Sequence, residues 1–336
     1  MKIAILGTGS WGTALAQVLC DNGHDVCMYG VDHDQINDIN VNHRNTAYFS
    51  KEQILPSSLR ATADISIAAE GMDAFLCAVP SKFIPDAISK IAPFVNERTL
   101  CINASKGFDT VTYSRLSTLI AKSIGKGKHN PIVSIIGPSH AEEVIKRMIT
   151  SVCAVSRDIS AAEAVQKLFS NDYMRLYVNT DELGCEYGAA IKNVIAIASG
   201  ISAGQGWGDN AKAALVTRGL AEMIRYGMAK GGKFETFAGL TGVGDLVVTC
   251  FSEHSRNYRA GLKIGTDNGT DDFYKTNKNT VEGIDSCRAI YEDVHKNHPE
   301  LVMPLVDTLY GVLFEGVAPS DGISALMHRP LKVENK

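Results

Sequence analysis

A lysine inside an otherwise apolar helix needs a reason, and Lys192 lies in the otherwise uncharged run Gly188-Ala189-Ala190-Ile191-Lys192-Asn193-Val194-Ile195. Gly188, Ala189 and Ala196 share its helical face one turn away, and Ser199 lies two turns on. Small neighbours leave space above the helix for a ligand. Desolvation lowers an amine pKa, so proton exchange with a hydroxyl becomes feasible near neutrality. The competing reading is a lysine that snorkels to solvent from a surface helix. Sequence alone leaves both open.

A second kind of chemistry is written into Gly7-Thr8-Gly9-Ser10-Trp11-Gly12, a GxGxxG run between an expected strand and an expected helix. In that setting Gly7 permits the tight turn, Gly9 lets the backbone approach a pyrophosphate, and Gly12 allows close helix–strand packing. The pyrophosphate would rest on free amides at the positive helix end. Asp32, at the end of the second strand, can accept hydrogen bonds from adenosine ribose hydroxyls, which favours NAD over NADP. It can equally serve as a helix cap.

Three more segments carry donors for an anion. Ser105-Lys106-Gly107 follows a strand ending at Asn103, at the sheet edge where open α/β folds bind ligands. Gly137-Pro138-Ser139-His140-Ala141-Glu142-Glu143 also follows a strand, and Pro138 suits the first turn of a helix with free amides. A glycine-rich turn, Gly239 to Asp245, presents Asp245, and Ser255-Arg256-Asn257 opens a helix whose arginine can grip a phosphate in bidentate fashion. His140 is given no role, and Cys250 reads as a buried inert thiol.

The elements that must position these residues change character along the chain. Strands are expected at Lys2–Leu6, Asp25–Tyr29, Asp73–Val79, Arg98–Asn103, Ile132–Ile136, Val152–Ser156 and Arg175–Val178, with helices between them, at Ser10–Asp21 for one. Alternation of this kind implies a parallel, doubly wound α/β sheet with right-handed crossovers, Rossmann-like. From Glu182 the spacing is helical, with helices expected at Glu182–Ala203, Asp209–Lys230, after Ser255, after Glu282 and at Pro304–Phe314. The polar segment 265–279 reads as a surface loop with room for a short helix. The boundary is placed near residue 180, giving a dinucleotide-binding domain over 1–180 and a helical substrate and catalytic domain over 181–336.

Bulk properties narrow the classes. The 336 residues, 45% hydrophobic and 21% charged, supply enough chain for two domains and a sizeable core. A net charge of −4 offers no field for nucleic acid or an anionic membrane, so an anionic substrate must be caught by local groups. No apolar run comes near the length of a bilayer span, and the start is too soon broken by glycine for a signal peptide. The eight cysteines are scattered without a CxxC pair, which fits reduced thiols in the cytoplasm and argues against a structural zinc; no metal is expected.

In order and spacing these motifs resemble the bacterial NAD(P)-dependent glycerol-3-phosphate dehydrogenases, from Lys2 to about Met327. The match takes in Gly208-Asp209-Asn210-Ala211-Lys212, Leu240-Thr241-Gly242-Val243-Gly244-Asp245 and Val281-Glu282-Gly283 as well. The resemblance implies interconversion of sn-glycerol 3-phosphate and dihydroxyacetone phosphate, with NAD or NADP as cofactor, supplying phospholipid synthesis. It implies Lys192 as proton donor and acceptor at the substrate C2 oxygen, and Lys106 in contact with substrate and cofactor. It further implies Gly137, Ser139, Asp245, Ser255, Arg256 and Asn257 as substrate holders, and Ser10, Trp11, Ala141, Arg256 and Glu282 as cofactor lining. One departure stands out: the family often has a basic residue after the second strand, where this chain reads Val31-Asp32-His33, so NADP preference is in doubt. The sequence does not fix the oligomeric state; a helical second domain often supplies a dimer interface, and a homodimer is one assembly open to the chain. Two competitors are a dehydrogenase of hydroxy acids or sugar acids, which would not need Ser255-Arg256-Asn257 as a phosphate clamp, and a dinucleotide sensor, which would leave Lys192 unexplained.

Overall fold

The computed structural model describes residues 1–109, 112–125, 127, 129–277, 280–331 and 333–334. Eight strands form one sheet: β1 (Lys2–Leu6), β2 (Asp25–Tyr29), β3 (Arg60–Thr62), β4 (Ala74–Cys77), β5 (Leu100–Asn103), β6 (Ile132–Ile136), β7 (Thr150–Val155) and β8 (Met174–Asn179). Their order is β3-β2-β1-β4-β5-β6-β7-β8. The short edge strand β3 has no sequence signal: Arg60-Ala61-Thr62 is too brief to show alternation. β4 is apolar, β6 is apolar but for Ser134, and both are buried throughout, as sheet strands covered on both faces must be.

Pairing is parallel from β3 across to β6 and between β7 and β8, but β6 and β7 are antiparallel. The expected run of right-handed crossovers therefore stops at β6. The segment between β6 and β7 holds only the four-residue helix Ala141–Val144, too little chain for a parallel return of the usual kind. The helix expected to begin near Pro138 starts at Ala141 instead, leaving Gly137 to His140 as an open loop. Because β1, β4, β5 and β6 run the same way, the loops after Leu6, Cys77, Asn103 and Ile136 all emerge at one edge. The strand order reverses between β1 and β4, which makes this edge the place for a ligand crevice.

After β8 the chain turns helical. The helix Glu182–Gly204 is buried along most of its length, and the helices Gly208–Ala229, Asp245–Phe251, Arg256–Asp267 and Glu282–Asn297 pack around it. Ile191, Val194, Ile195 and Ile197 are essentially removed from water, each worth about 1.5–3 kcal/mol of transfer free energy. The polar segment expected as a loop is more ordered than its composition implies. The helix Arg256–Asp267 runs into it, and Asp271–Thr276 is helical with Phe273 buried; Lys278 and Asn279 lie outside the described residues.

The expectation that no apolar stretch approaches a bilayer span also needs correction, because Phe234–Phe251 is long and apolar enough by composition. It is not one straight helix. Phe234–Phe237, a π-helical turn at Leu240–Gly244 and Asp245–Phe251 follow one another, with Phe237, Leu246 and Cys250 fully buried in the helical core.

Candidate active site

The glycine loop has the form its sequence requires. Gly7 sits at φ +111°, and a Cβ there would stand 2.9 Å from Ala78 O, so only glycine fits between β1 and β4. At Gly12 a Cβ would stand 2.7 Å from Gly7 O, which is the close helix–strand approach. At Gly9, by contrast, a Cβ would meet no protein atom within 4 Å, and no side chain caps the helix Ser10–Asp21 that follows. Its first amides thus face open space at the positive end of a helix, as a pyrophosphate would need. Asn45, which nothing in the sequence singles out, braces the loop from below: its Nδ2 donates to Thr8 O and Thr13 Oγ1, both at 2.9 Å.

Asp32 does cap a helix, accepting from the amides of Asp34 at 3.0 Å and Gln35 at 3.1 Å. Both of those bonds go to Oδ1. Oδ2 takes one bond from Gln35 Nε2 at 3.1 Å, and Gln35 in turn accepts from Thr8 Oγ1 at 2.8 Å. The carboxylate is exposed and keeps acceptor capacity on Oδ2. Capping and ribose contact are therefore compatible roles for one group.

Lys192 does not snorkel. It is 2% exposed and pairs with Asp245, itself 1% exposed. Burial brings its pKa down to about 8; Asp245 opposes that fall and Lys106 adds to it. The small residues around it serve packing more than ligand space. Gly188 is covered by Phe237 and Thr241, and Ser199 donates to Cys250 O at 2.9 Å, so the segment carrying Asp245 can lie directly on the lysine helix. Asp245 Oδ2 is buried with no hydrogen-bond partner. Thr249 donates to Asp245 O at 2.6 Å, fixing the turn that aims the carboxylate.

Around this pair the expected residues close into a ring. Lys106 Nζ lies 5.8 Å from the centre of the Trp11 ring, and the position a Cβ would take on Gly107 lies 3.7 Å from Glu282 Cβ. Glu282 binds Arg256. Asn257 Oδ1 accepts from Gly283 N at 2.9 Å, and Gly283 packs on Asn193 O, beside Lys192. On the far side, the Cβ position of Gly244 is 3.7 Å from Pro138 Cγ. Gly137, at φ +151°, admits no side chain because Val152 Cα would stand 2.9 Å away. Ser139 donates to Gly137 O at 3.0 Å, and Ala141 is buried in the core cluster against which Trp11 packs. Ser255 caps its helix by accepting from Tyr258 N at 3.2 Å, which leaves its own hydrogen to give. Asp32 stands apart from the ring, as a group for the far end of a dinucleotide would.

His140 makes no side-chain cap. Its Nε2 lies 3.3 Å from Val248 O, joining the loop after β6 to the Asp245 helix, and burial lowers its pKa. Cys250 is fully buried, and burial pushes its thiol well above the ordinary range, as expected of an inert cysteine.

Comparison with known proteins now bears on this geometry. Residues 2–162 match the family described as NAD-dependent glycerol-3-phosphate dehydrogenase N-terminus, and residues 181–324 match the corresponding C-terminus. The chain belongs to the NAD-dependent glycerol-3-phosphate dehydrogenase family. A glycerol-3-phosphate dehydrogenase [NAD(P)+] of Enterococcus faecalis is 45% identical over 335 residues, covering 100% of this chain and 98% of that protein. One from Staphylococcus epidermidis is 44% identical over 333 residues, covering 99% of each. The crystal structure of glycerol-3-phosphate dehydrogenase from Coxiella burnetii superimposes with a TM-score of 0.89 at 33% identity, covering 97% of this chain and 98% of that one. A family member needs a dinucleotide site, and the open amides over Gly9 together with Trp11 Nε1, buried without a partner, fit one.

Proposed function

We infer that the protein is an NAD(P)-dependent oxidoreductase that interconverts sn-glycerol 3-phosphate and dihydroxyacetone phosphate. Its physiological product then supplies the backbone of glycerophospholipids. The observation that carries the site assignment is a buried amine, paired with a carboxylate, beside a second lysine that covers the glycine-loop tryptophan. The nicotinamide, when bound, supplies or takes up the hydride. Everything else falls to the protein.

Gly7, Gly9, Ser10 and Gly12 present backbone to the pyrophosphate, and Trp11, Ala141 and Glu282 line the nicotinamide end. Asp32 receives the ribose hydroxyls and repels a 2′-phosphate. Lys106 stands between cofactor and substrate. Ser255, Arg256 and Asn257 take the phosphate at a helix start; Glu282 occupies part of the Arg256 guanidinium, whose other N–H groups remain for the anion. Gly137 and Ser139 close the opposite wall. Lys192, as ammonium, gives a proton to the C2 oxygen during reduction and, as amine, removes it during oxidation. Asp245 holds the Lys192 amine in place and favours its charged form. Positioning and one acid/base thus account for the catalysis.

The division of labour places dinucleotide binding in residues 1–180 and substrate capture with proton transfer in 181–336. Cysteines that are free and, Cys20 apart, buried suit a cytoplasmic enzyme. A homodimer through the helical half completes the reading. The test is oxidation of NADH and of NADPH, followed by absorbance, with dihydroxyacetone phosphate as substrate. Rapid turnover is expected. A folded protein that binds cofactor and turns over neither would overturn the reading in favour of another dehydrogenase.

A further inference from the structure

Lys106 and Lys192 come from different halves of the chain, and a run of buried and half-buried hydrogen bonds joins the helix that carries Lys192 to the loop that carries Lys106. Glu186 lies on the Lys192 helix and is 7% exposed. Its carboxylate pairs with Arg115 at 3.1 Å and accepts from Ser117 Oγ at 2.9 Å and Ser134 Oγ at 3.0 Å. Ser134, in the middle of β6, accepts in turn from Asn103 Nδ2 at 3.2 Å, and Asn103 Oδ1 accepts from Ser105 N at 3.0 Å. Ser105 is held again by its own hydroxyl, on Val79 O at 2.7 Å. Lys106 is the next residue.

Burying a carboxylate is costly, and an apolar contact would join the two halves as firmly. Arg115 answers that charge only in part, because it also binds Glu182, and Ser134 adds direction to the hydrogen bonds that complete the site. A hydroxyl has one hydrogen. Given to Glu186, it leaves only acceptor capacity toward Asn103, which must then present its amide to Ser134 and its carbonyl to the Ser105 amide. The orientation of the Lys106 loop is thereby set from the helix that carries Lys192.

We propose that Glu186, acting through Ser134 and Asn103, is a positioning residue that aligns the Lys106 loop with Lys192. This rests on the roles given above to the two lysines. It touches neither substrate nor cofactor, so its effect is on alignment and not on affinity. The full-length enzyme would be assayed with NADH and with NADH deuterated at the transferred position, for Ser134→Ala, Asn103→Ala and Glu186→Gln. Misalignment predicts a fall in kcat of roughly ten- to hundredfold. It also predicts a larger deuterium isotope effect on kcat, because hydride transfer becomes the slow step, with NADH affinity by fluorescence near wild type. The double variant Ser134→Ala/Asn103→Ala should be no slower than the slower single, since both cut one link. Ser117→Ala removes a partner of the same carboxylate off the route to Lys106, and it should keep the wild-type isotope effect. If Glu186→Gln fails to fold, the two neutral variants decide. Wild-type kcat and isotope effect in Ser134→Ala and Asn103→Ala overturn the proposal, as does a Ser117→Ala variant that behaves like them. Lys192→Ala assayed alongside separates the causes: intact turnover there overturns the lysine roles, whatever the chain does.

Discussion

The sheet half and the helical half differ in how many ionisable groups they bury. Among the described residues, the first half hides neutral polar groups, Thr13, Gln17, Asn45, Asn103 and Ser134 among them, with Asp109 the charged exception. The second half hides neutral groups as well, Asn193, Ser199 and Asn257 among them, and adds the charged Asp181, Glu186, Lys192, Glu222 and Asp245. A cofactor site built from backbone amides needs stiffness, and neutral hydrogen bonds give it without a large desolvation cost. A proton-transfer site needs a group whose charge is easily changed, and that requires an ionisable side chain taken out of water. The comparison predicts that function in the sheet half fails through shape and in the helical half through charge.

The largest effect should come from the helical half. Lys192→Ala removes the proton donor and should lower kcat by about 10²–10⁴-fold, while NADH binding, measured by fluorescence, persists. Intact turnover would remove Lys192 from the mechanism. The same group sets the pH dependence. Reduction needs the ammonium form, so with a Lys192 pKa of about 8 the rate of reduction should fall as pH rises through about 8, and oxidation should rise. Asp245→Asn removes the neighbouring anion that holds the pKa up, so the alkaline limb of reduction should move to lower pH. A limb that stays in place would break the link between the pair.

In the sheet half the matching experiment is steric. Gly12→Ala places a methyl 2.7 Å from a backbone oxygen that cannot swing away. The helix must shift off β1, and NADH affinity should weaken by roughly tenfold or more, about the 1–3 kcal/mol of an overpacked contact. No pH dependence should appear in that loss. A loss that titrates would blur the distinction between the halves.

These contrasts also mark what could be read from the sequence. The glycine loop was legible because each glycine answers a local demand of backbone geometry, and the helix start at Ser255 because a helix start is a local event. Lys192 was legible only as an anomaly, an amine among apolar residues. Its partner Asp245 is distant in sequence, and nothing local announces that the two touch. The antiparallel step from β6 to β7 was hidden because periodicity shows that a strand is buried, not which way it runs. Glu186 and Asn45 were missed for the same reason: their partners converge only after folding. Asp32 offered two roles, and the structure supplies the cap while leaving an acceptor free.

Glu222 tests the charge side away from the active site. It lies on the helix Gly208–Ala229 and accepts from Leu305 N at 2.8 Å and Val306 N at 3.2 Å, at the start of the helix Pro304–Phe314. Burial lifts its pKa to about 7 against those two amides and Arg225, with Asp307 adding to the rise. The folded state then holds a proton that the unfolded state has released. The stability this contributes is full below the ordinary glutamate range and is lost as pH rises to about 7, up to about 3 kcal/mol. Glu222→Gln should flatten that slope in denaturant melts between pH 4.5 and 7. An unchanged slope would show that the helix amides outweigh burial.

The smallest expected effect is at Asp32, where shape and charge meet on the surface of the sheet half. Replacement by arginine removes the carboxylate that caps the following helix, at about 1 kcal/mol of stability. It also exchanges a group that repels a 2′-phosphate for one that binds it. The ratio of NADPH to NADH affinity should rise by roughly tenfold or more, the factor attached to about 1.4 kcal/mol. Asp32→Asn separates the two functions, because asparagine still caps but carries no charge. If Asn shifts the ratio part of the way with the melting temperature nearly unchanged, the discrimination is electrostatic. If only the arginine variant shifts it, the wild-type carboxylate acts as a cap, and the absence of a basic residue alone sets the cofactor preference.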